Sequence, residues 1–302
     1  ITAIRAGEKK LGETVQTIDL DELKNSTVDW VILGIEEDIG VRANLGQPGA
    51  ADAWSEFLPA FLNTQSNRYI RGDKIGILGS LNFTDWQSAA SKLNASETKD
   101  LNLLRTLTNN IDVEVSKIVY EIVKHGKAPV IIGGGHNNCY PIIKAVSEAK
   151  GTPLNVINID PHTDYRQQEG RHSGNGFSYA FYQGYLKKYF ALGLMEQTNS
   201  EAMLKNMDIE EGVEYQFYQP GLDLEFDHVV KRWALPVGLE IGTSSGYRLD
   251  QICNLIRKIN KQIRPAYLHL TMGQIQDPAN DAPIVGSVLS TLVLEFIKTY
   301  TD

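Results

Sequence analysis

Short apolar runs rich in β-branched residues recur from one end of the chain to the other, and they limit its fold more than any other feature. They fall at Trp30 to Leu33, Lys74 to Leu78, Pro129 to Ile132, Leu154 to Ile159, Tyr189 to Leu192, Val213 to Tyr218, Val237 to Ile241 and Ala266 to Leu270. Each has the length and residue types of a strand. Several are apolar at successive positions, as in strands covered by helices on both faces of a parallel sheet. Helical patterns fill most of the intervals. In the longest, about Asp100 to His125, Leu104, Thr108, Ile111, Val115, Ile118 and Ile122 repeat at helical spacing and Gly126 follows as a stop. Others are about Ala50 to Leu62, Tyr140 to Ala149, Arg248 to Asn260 and Val285 to Lys298. This alternation predicts an α/β fold of three αβα layers around a mostly parallel sheet of about eight strands. No Pro/Gly/Ser-rich linker divides it, so residues 1–302 are expected to form a single domain.

Composition narrows the function. A net charge of −8 lacks the Lys and Arg excess that nucleic acids or anionic membranes select, so a small-molecule substrate is expected. Only two cysteines occur, Cys139 and Cys253, far apart and without zinc or redox spacing. No apolar run approaches the roughly 20 residues that span a bilayer. A cytoplasmic location is expected, although the chain begins at Ile1 rather than Met and a leading segment is not excluded.

In open parallel sheets, ligands bind outside the carboxyl ends of the strands. After Ile132 comes Gly133-Gly134-Gly135-His136-Asn137-Asn138. Alone this is a tight turn or a phosphate cradle, but it lacks the spacing of the dinucleotide fingerprint and carries an imidazole. After Ile159 comes Asp160-Pro161-His162-Thr163-Asp164. In extended chain, residues two apart share a side, so three donors would face one way beside His136 from the neighbouring strand. Carboxylates and imidazoles without thiolate suit Mn²⁺ or Zn²⁺.

The pair Gly133 to Asn137 and Asp160 to Asp164 resembles the Gly-Gly-x-His and Asp-Ala-His-x-Asp motifs of the arginase, agmatinase and formimidoylglutamase family. Glu36 to Ala50 is similar to that family's first active-site loop, Arg171 to Ser178 to its substrate loop, and Ala266 to Leu270 followed by Val285 to Lys298 to the last strand and helix of the formimidoylglutamase branch. The resemblance implies two Mn²⁺ ions, one held by His136, Asp160 and Asp164 and the other by His162 and a bridging Asp160. It implies hydrolysis of a formimidoyl or guanidino C–N bond, with N-formimidoyl-L-glutamate giving glutamate and formamide as the expected reaction. Arginase or agmatinase activity is the alternative, and so is a metal-depleted relative with a binding role. Catalysis would rest on Asp160 and on His172, a proton shuttle unless it is an ordinary loop histidine. Ser173 and Asn175 would bind substrate, and Arg166 and Arg171 would pair with its carboxylates unless they are solvated surface charges. A homo-oligomer is also implied. His125 closes a helix where a positive charge suits the dipole, His228 and His269 show no clustered partners in sequence, and all three are expected to be structural.

One departure matters. The family carries an Asp-x-Asp pair at the end of a later strand, and Val237-Gly-Leu-Glu-Ile241 runs into Gly242-Thr-Ser-Ser-Gly-Tyr247 without it. A second register, at Met272 and Gln274 before Asp277-Pro278, lacks it as well. A missing loop of about a dozen residues at or near Ile241 and Gly242 is the expected reason, and a true deletion of the pair, which would favour a degenerate relative over an active hydrolase, is the alternative. An omission would leave the Cα atoms of Ile241 and Gly242 far more than about 3.8 Å apart.

Overall fold

The structure, a computed structural model, describes residues 2–219, 233–242, 247–271 and 282–299. Among the described residues nine strands make one sheet: β1 (Gln16–Thr17), β2 (Trp30–Glu36), β3 (Ile75–Asn82), β4 (Ala128–Ile132), β5 (Leu154–Ile159), β6 (Leu186–Leu194), β7 (Val213–Phe217), β8 (Val237–Ile241) and β9 (Tyr267–Leu270). The order is β1-β3-β2-β4-β9-β8-β5-β6-β7, and every pairing is parallel. The eight expected strands are all present. The ninth, β1, has only two residues, too few to show a period.

The helices are α1 (Ile39–Arg42), α2 (Ala53–Leu62), α3 (Thr84–Ala90), α4 (Thr98–Lys124), α5 (Cys139–Lys150), α6 (Gly176–Tyr182), α7 (Glu201–Ile209), α8 (Leu249–Ile263) and α9 (Ala282–Thr299). Alternate strand residues separate the two apolar layers. Trp30, Ile32, Val130, Ile132, Ile157 and Ile159 pack with Phe57 and Phe61 of α2, Ile256 of α8 and Phe296 of α9. Val31, Leu33, Ile131 and Val156 pack with Ile111 and Val115 of α4, Ile142 of α5 and Phe177 of α6. Burying each such side chain contributes about 1.5–3 kcal/mol, so the apolar strand runs are explained by demand from both sides.

Two expectations need correction. The first is that His136 comes from the strand next to the Asp160 triplet: β4 and β5 are separated by β9 and β8, although both reach the same edge. The second concerns the junction after Ile241. Ile241 pairs with Ile159 and Leu270, and the next N–H, that of Gly242, donates to Ile159 O at 3.0 Å. The ladder thus passes from Ile241 to Gly242 without a gap. Thr243 to Gly246, the alternative register around Met272 to Pro278, and His228 lie outside the described residues.

Candidate metal centre

The glycine turn after β4 requires backbone that other residues resist: Gly133 and Gly134 have φ of 83° and 71°. Buried Glu37, just past β2, holds the turn by accepting from Gly135 N at 3.1 Å, Asn137 Nδ2 at 3.0 Å and Asn138 Nδ2 at 2.5 Å. Burial raises its carboxyl pKa against these hydrogen bonds. His136 is thereby set, nearly buried, at the carboxyl edge of the sheet.

Its Nδ1 lies 2.6 Å from Asp164 Oδ2 and 3.5 Å from Asp160 Oδ2. Ligand atoms of His136, Asp160 and Asp164 all lie within 4.8 Å of one another. The three do not meet through extended alternation, because β5 ends at Ile159 and Asp164 has φ of 44°. This left-handed turn, tolerated by Asp better than by most residues, swings its carboxylate back to His136. His162 stands on the outer side, with 49% of its side chain exposed and Nδ1 3.0 Å from Asp160 Oδ1. Burial opposes an imidazolium at His136, but the facing carboxylates, Asp164 first, drive its pKa well above the ordinary value. Burial would raise the pKa of Asp160, yet hydrogen bonds to His136 and His162 bring it below the usual carboxylate range.

Beneath this cluster β8 and β9 contribute residues that motif reading passed over. Glu240 is fully buried, accepting from Tyr267 Oη at 2.7 Å and meeting His269 Nδ1 at 2.6 Å. Burial would raise its pKa, but the imidazoles of His269 and His136 that face it together bring it down to about 2. His269 is therefore clustered, contrary to expectation. The signal was available: a Glu and a His inside otherwise apolar strands are rare unless paired.

A cleft of about 270 Å³ opens over the centre, lined by His136, Asp160, His162, Asp164 and Ser173, with Asn44 and Thr271 among its other walls. Asn44 Nδ2 donates to Ser173 Oγ at 3.2 Å. The other substrate-loop expectations are not met as placed. Arg171 is buried, donating to Asp112 Oδ2 on α4 at 2.8 Å, Asn175 Oδ1 at 2.7 Å and Asn137 O at 2.8 Å, with Tyr140 and Tyr179 against its guanidinium. The Asn175 amide is used up within the loop, donating to Gly170 O and Gln167 O while its Oδ1 accepts from Arg171 and His172 N. His172 is buried away from the cleft, Nδ1 accepting from Gly174 N and Nε2 facing Glu169. Arg166, 48% exposed, pairs with Glu169 and does not line the cleft.

Three donors suit one hard or borderline cation. A second ion is less well provided for among the described residues. Asp160 Oδ1 and His162 remain for it, but Glu240 is held by Tyr267 and His269, and a Cβ at Gly242 would fall 1.4 Å from Asp160 Oδ2.

A sequence model described as the arginase family matches residues 28–233, ending just before β8. Formimidoylglutamase of Geobacillus kaustophilus is 28% identical over 210 residues, covering 66% of this chain and 57% of that protein. Arginase of Glycine max is 26% identical over 213 residues, 63% of this chain and 60% of that one. The chain thus spans less than two thirds of the length of these curated relatives. Among solved structures, formimidoylglutamase of Bacillus subtilis superposes with a TM-score of 0.75 at 15% identity, over 99% of this chain and 94% of that one. Formiminoglutamase of Trypanosoma cruzi, solved with Mn²⁺, gives 0.71 at 17% identity over 96% and 98%. The likeness in fold agrees with a sequence match across two thirds of the residues, and on that match the chain belongs to the arginase family.

Proposed function

We propose that this chain is a metal-dependent hydrolase of the C–N bond of linear amidines, with N-formimidoyl-L-glutamate as leading substrate and guanidino compounds as the next candidates. The convergence of His136, Asp160 and Asp164 at the base of an open cleft carries the reading. His136, Asp160 and Asp164 would hold a Mn²⁺ ion, and His162 with the other Asp160 oxygen would contribute to a second. Bound divalent metal supplies hydroxide near neutral pH and stabilises the charge that develops on the attacked carbon's substituents. The residues of the chain define and aim the site. Asp160, fixed through both oxygens, sets the spacing of the two imidazoles. Ser173 and Asn44 offer hydroxyl and amide groups to the polar end of a substrate entering over His162. Net hydrolysis of the leading substrate consumes one water and yields glutamate and formamide.

A second reading is a relative that binds metal or ligand without turnover, favoured by the commitment of Glu240 to His269 and Tyr267 and by Gly242 at the β8 end. Metal content after Mn²⁺ loading, followed by assays with formimidoylglutamate, arginine and agmatine, separates them. Mn²⁺ uptake with formamide release supports the hydrolase. Uptake without turnover on any of the three favours the binding role. Failure to take up Mn²⁺ would refute the metal centre, and Asp160→Asn should abolish uptake and activity together.

A further inference from the structure

We infer that Glu240 is the positioning residue of this centre, a carboxylate that holds the His136 ring with Nδ1 toward Asp160 and Asp164 without being a ligand itself. The inference rests on the metal reading above. His136 Nδ1 faces the two carboxylates, while its buried Nε2 makes no hydrogen bond and points at Glu240 Oε2, 3.7 Å away. An imidazole that gives the Nδ1 lone pair to a cation keeps its proton on Nε2. A carboxylate facing that nitrogen favours this tautomer and resists rotation of the ring, as outer partners of metal-bound histidines commonly do. Phe177 stands edge-on to the ring at 5.2 Å, and the ring of His269, itself bonded to Glu240, stands edge-on at 6.2 Å.

Glu240 is suited to this task and poorly placed for ligation. It is fully buried and absent from the cleft wall that His136, Asp160, His162 and Asp164 form. Tyr267 Oη holds its Oε1 at 2.7 Å and His269 Nδ1 its Oε2 at 2.6 Å. His269 Nε2 lies 3.3 Å from Gly133 O, so the chain of contacts returns to the turn that carries His136. Two residues along, where a side chain would reach Asp160, the strand has Gly242. The β8 end therefore shapes the centre from behind.

Calorimetric Mn²⁺ titration of the whole chain, with metal content at saturation, tests this. Glu240→Gln keeps the volume and removes the charge. It should bind Mn²⁺ about 10–100-fold more weakly, with the same number of ions per chain and a cooperative thermal transition. In a His136→Gln background, titrated to millimolar Mn²⁺, the Glu240 change should cost nothing further, because its effect passes through the ring. Wild-type affinity in Glu240→Gln, an equal loss in both backgrounds, or fewer ions per chain would each overturn the inference, the last by making Glu240 a ligand. If Glu240→Gln does not fold, Tyr267→Phe replaces it. A several-fold weaker Mn²⁺ affinity is then expected, and wild-type affinity would sink the idea. No Mn²⁺ uptake by the wild-type chain would instead remove the metal reading on which it stands.

Discussion

Arg171, His172 and Asn175 lie in a loop whose sequence suggests solvent and substrate, yet all three are buried and bonded within the protein. At His172 burial disfavours the imidazolium and lowers the pKa to about 4. The unfolded chain, whose imidazole titrates near 6.5, binds more protons than the folded one between these values. The stability contributed by neutral His172 is complete above about pH 6.5 and is lost as pH falls toward 4. Integrated over that window it amounts to roughly 3 kcal/mol at most. Urea unfolding of wild type should therefore weaken more steeply from pH 6.5 to 4 than that of His172→Gln. Parallel slopes would show that this imidazole is not held neutral by the fold.

Between elements, the Arg171–Asp112 pair ties the loop before α6 to the long helix α4 across 59 residues of sequence. Both side chains are almost wholly inaccessible, and Arg171 also supports the His136 turn through Asn137 O. Removing one partner from such a pair leaves a buried charge and costs about 3–5 kcal/mol. We expect Asp112→Ala to lose that much stability in denaturant, with an unchanged m-value if the unfolded state is unaffected. A loss below 1 kcal/mol would mean that Arg171 finds water or another anion. The same pair, with Asn175 Oδ1 and Asn137 O, occupies the Arg171 guanidinium within the protein.

At the scale of the molecule, the centre joins ends of the sheet's middle strands. His136 follows β4 and the carboxylates follow β5, with β9 and β8 between them. A cation bound there bridges segments that only the folded sheet brings together, so it should bind the native state alone. Mn²⁺ at a hundredfold excess over its Kd is then expected to add about 2.7 kcal/mol to stability, seen as a rise in Tm that EDTA reverses. Asp160→Asn should remove the rise. A Tm indifferent to Mn²⁺ in the wild type would argue against any native-state site.

What the sequence determined by itself was local. Apolar runs marked eight strands because the central ones, β4, β5, β8 and β9, are covered on both faces along nearly their whole length, while the others keep enough buried residues to show. The exits after Ile132 and Ile159 displayed their donors because strand-end ligands are close in sequence. Tertiary structure decided the rest. Nothing within β4 or β5 states that β9 and β8 lie between them, since strand order depends on which faces and edges find partners after the whole chain has collapsed. The backbone of Asp164, turned into the left-handed region, brought its carboxylate to His136, whereas extended chain would have faced it with His162. Arg171 and His172 became interior groups because Asp112, far off in α4, and the packed loop around them satisfied their polarity. Glu240 and His269 sat visibly in apolar strands, but their pairing, and their place behind His136, exist only where β8 and β9 run side by side.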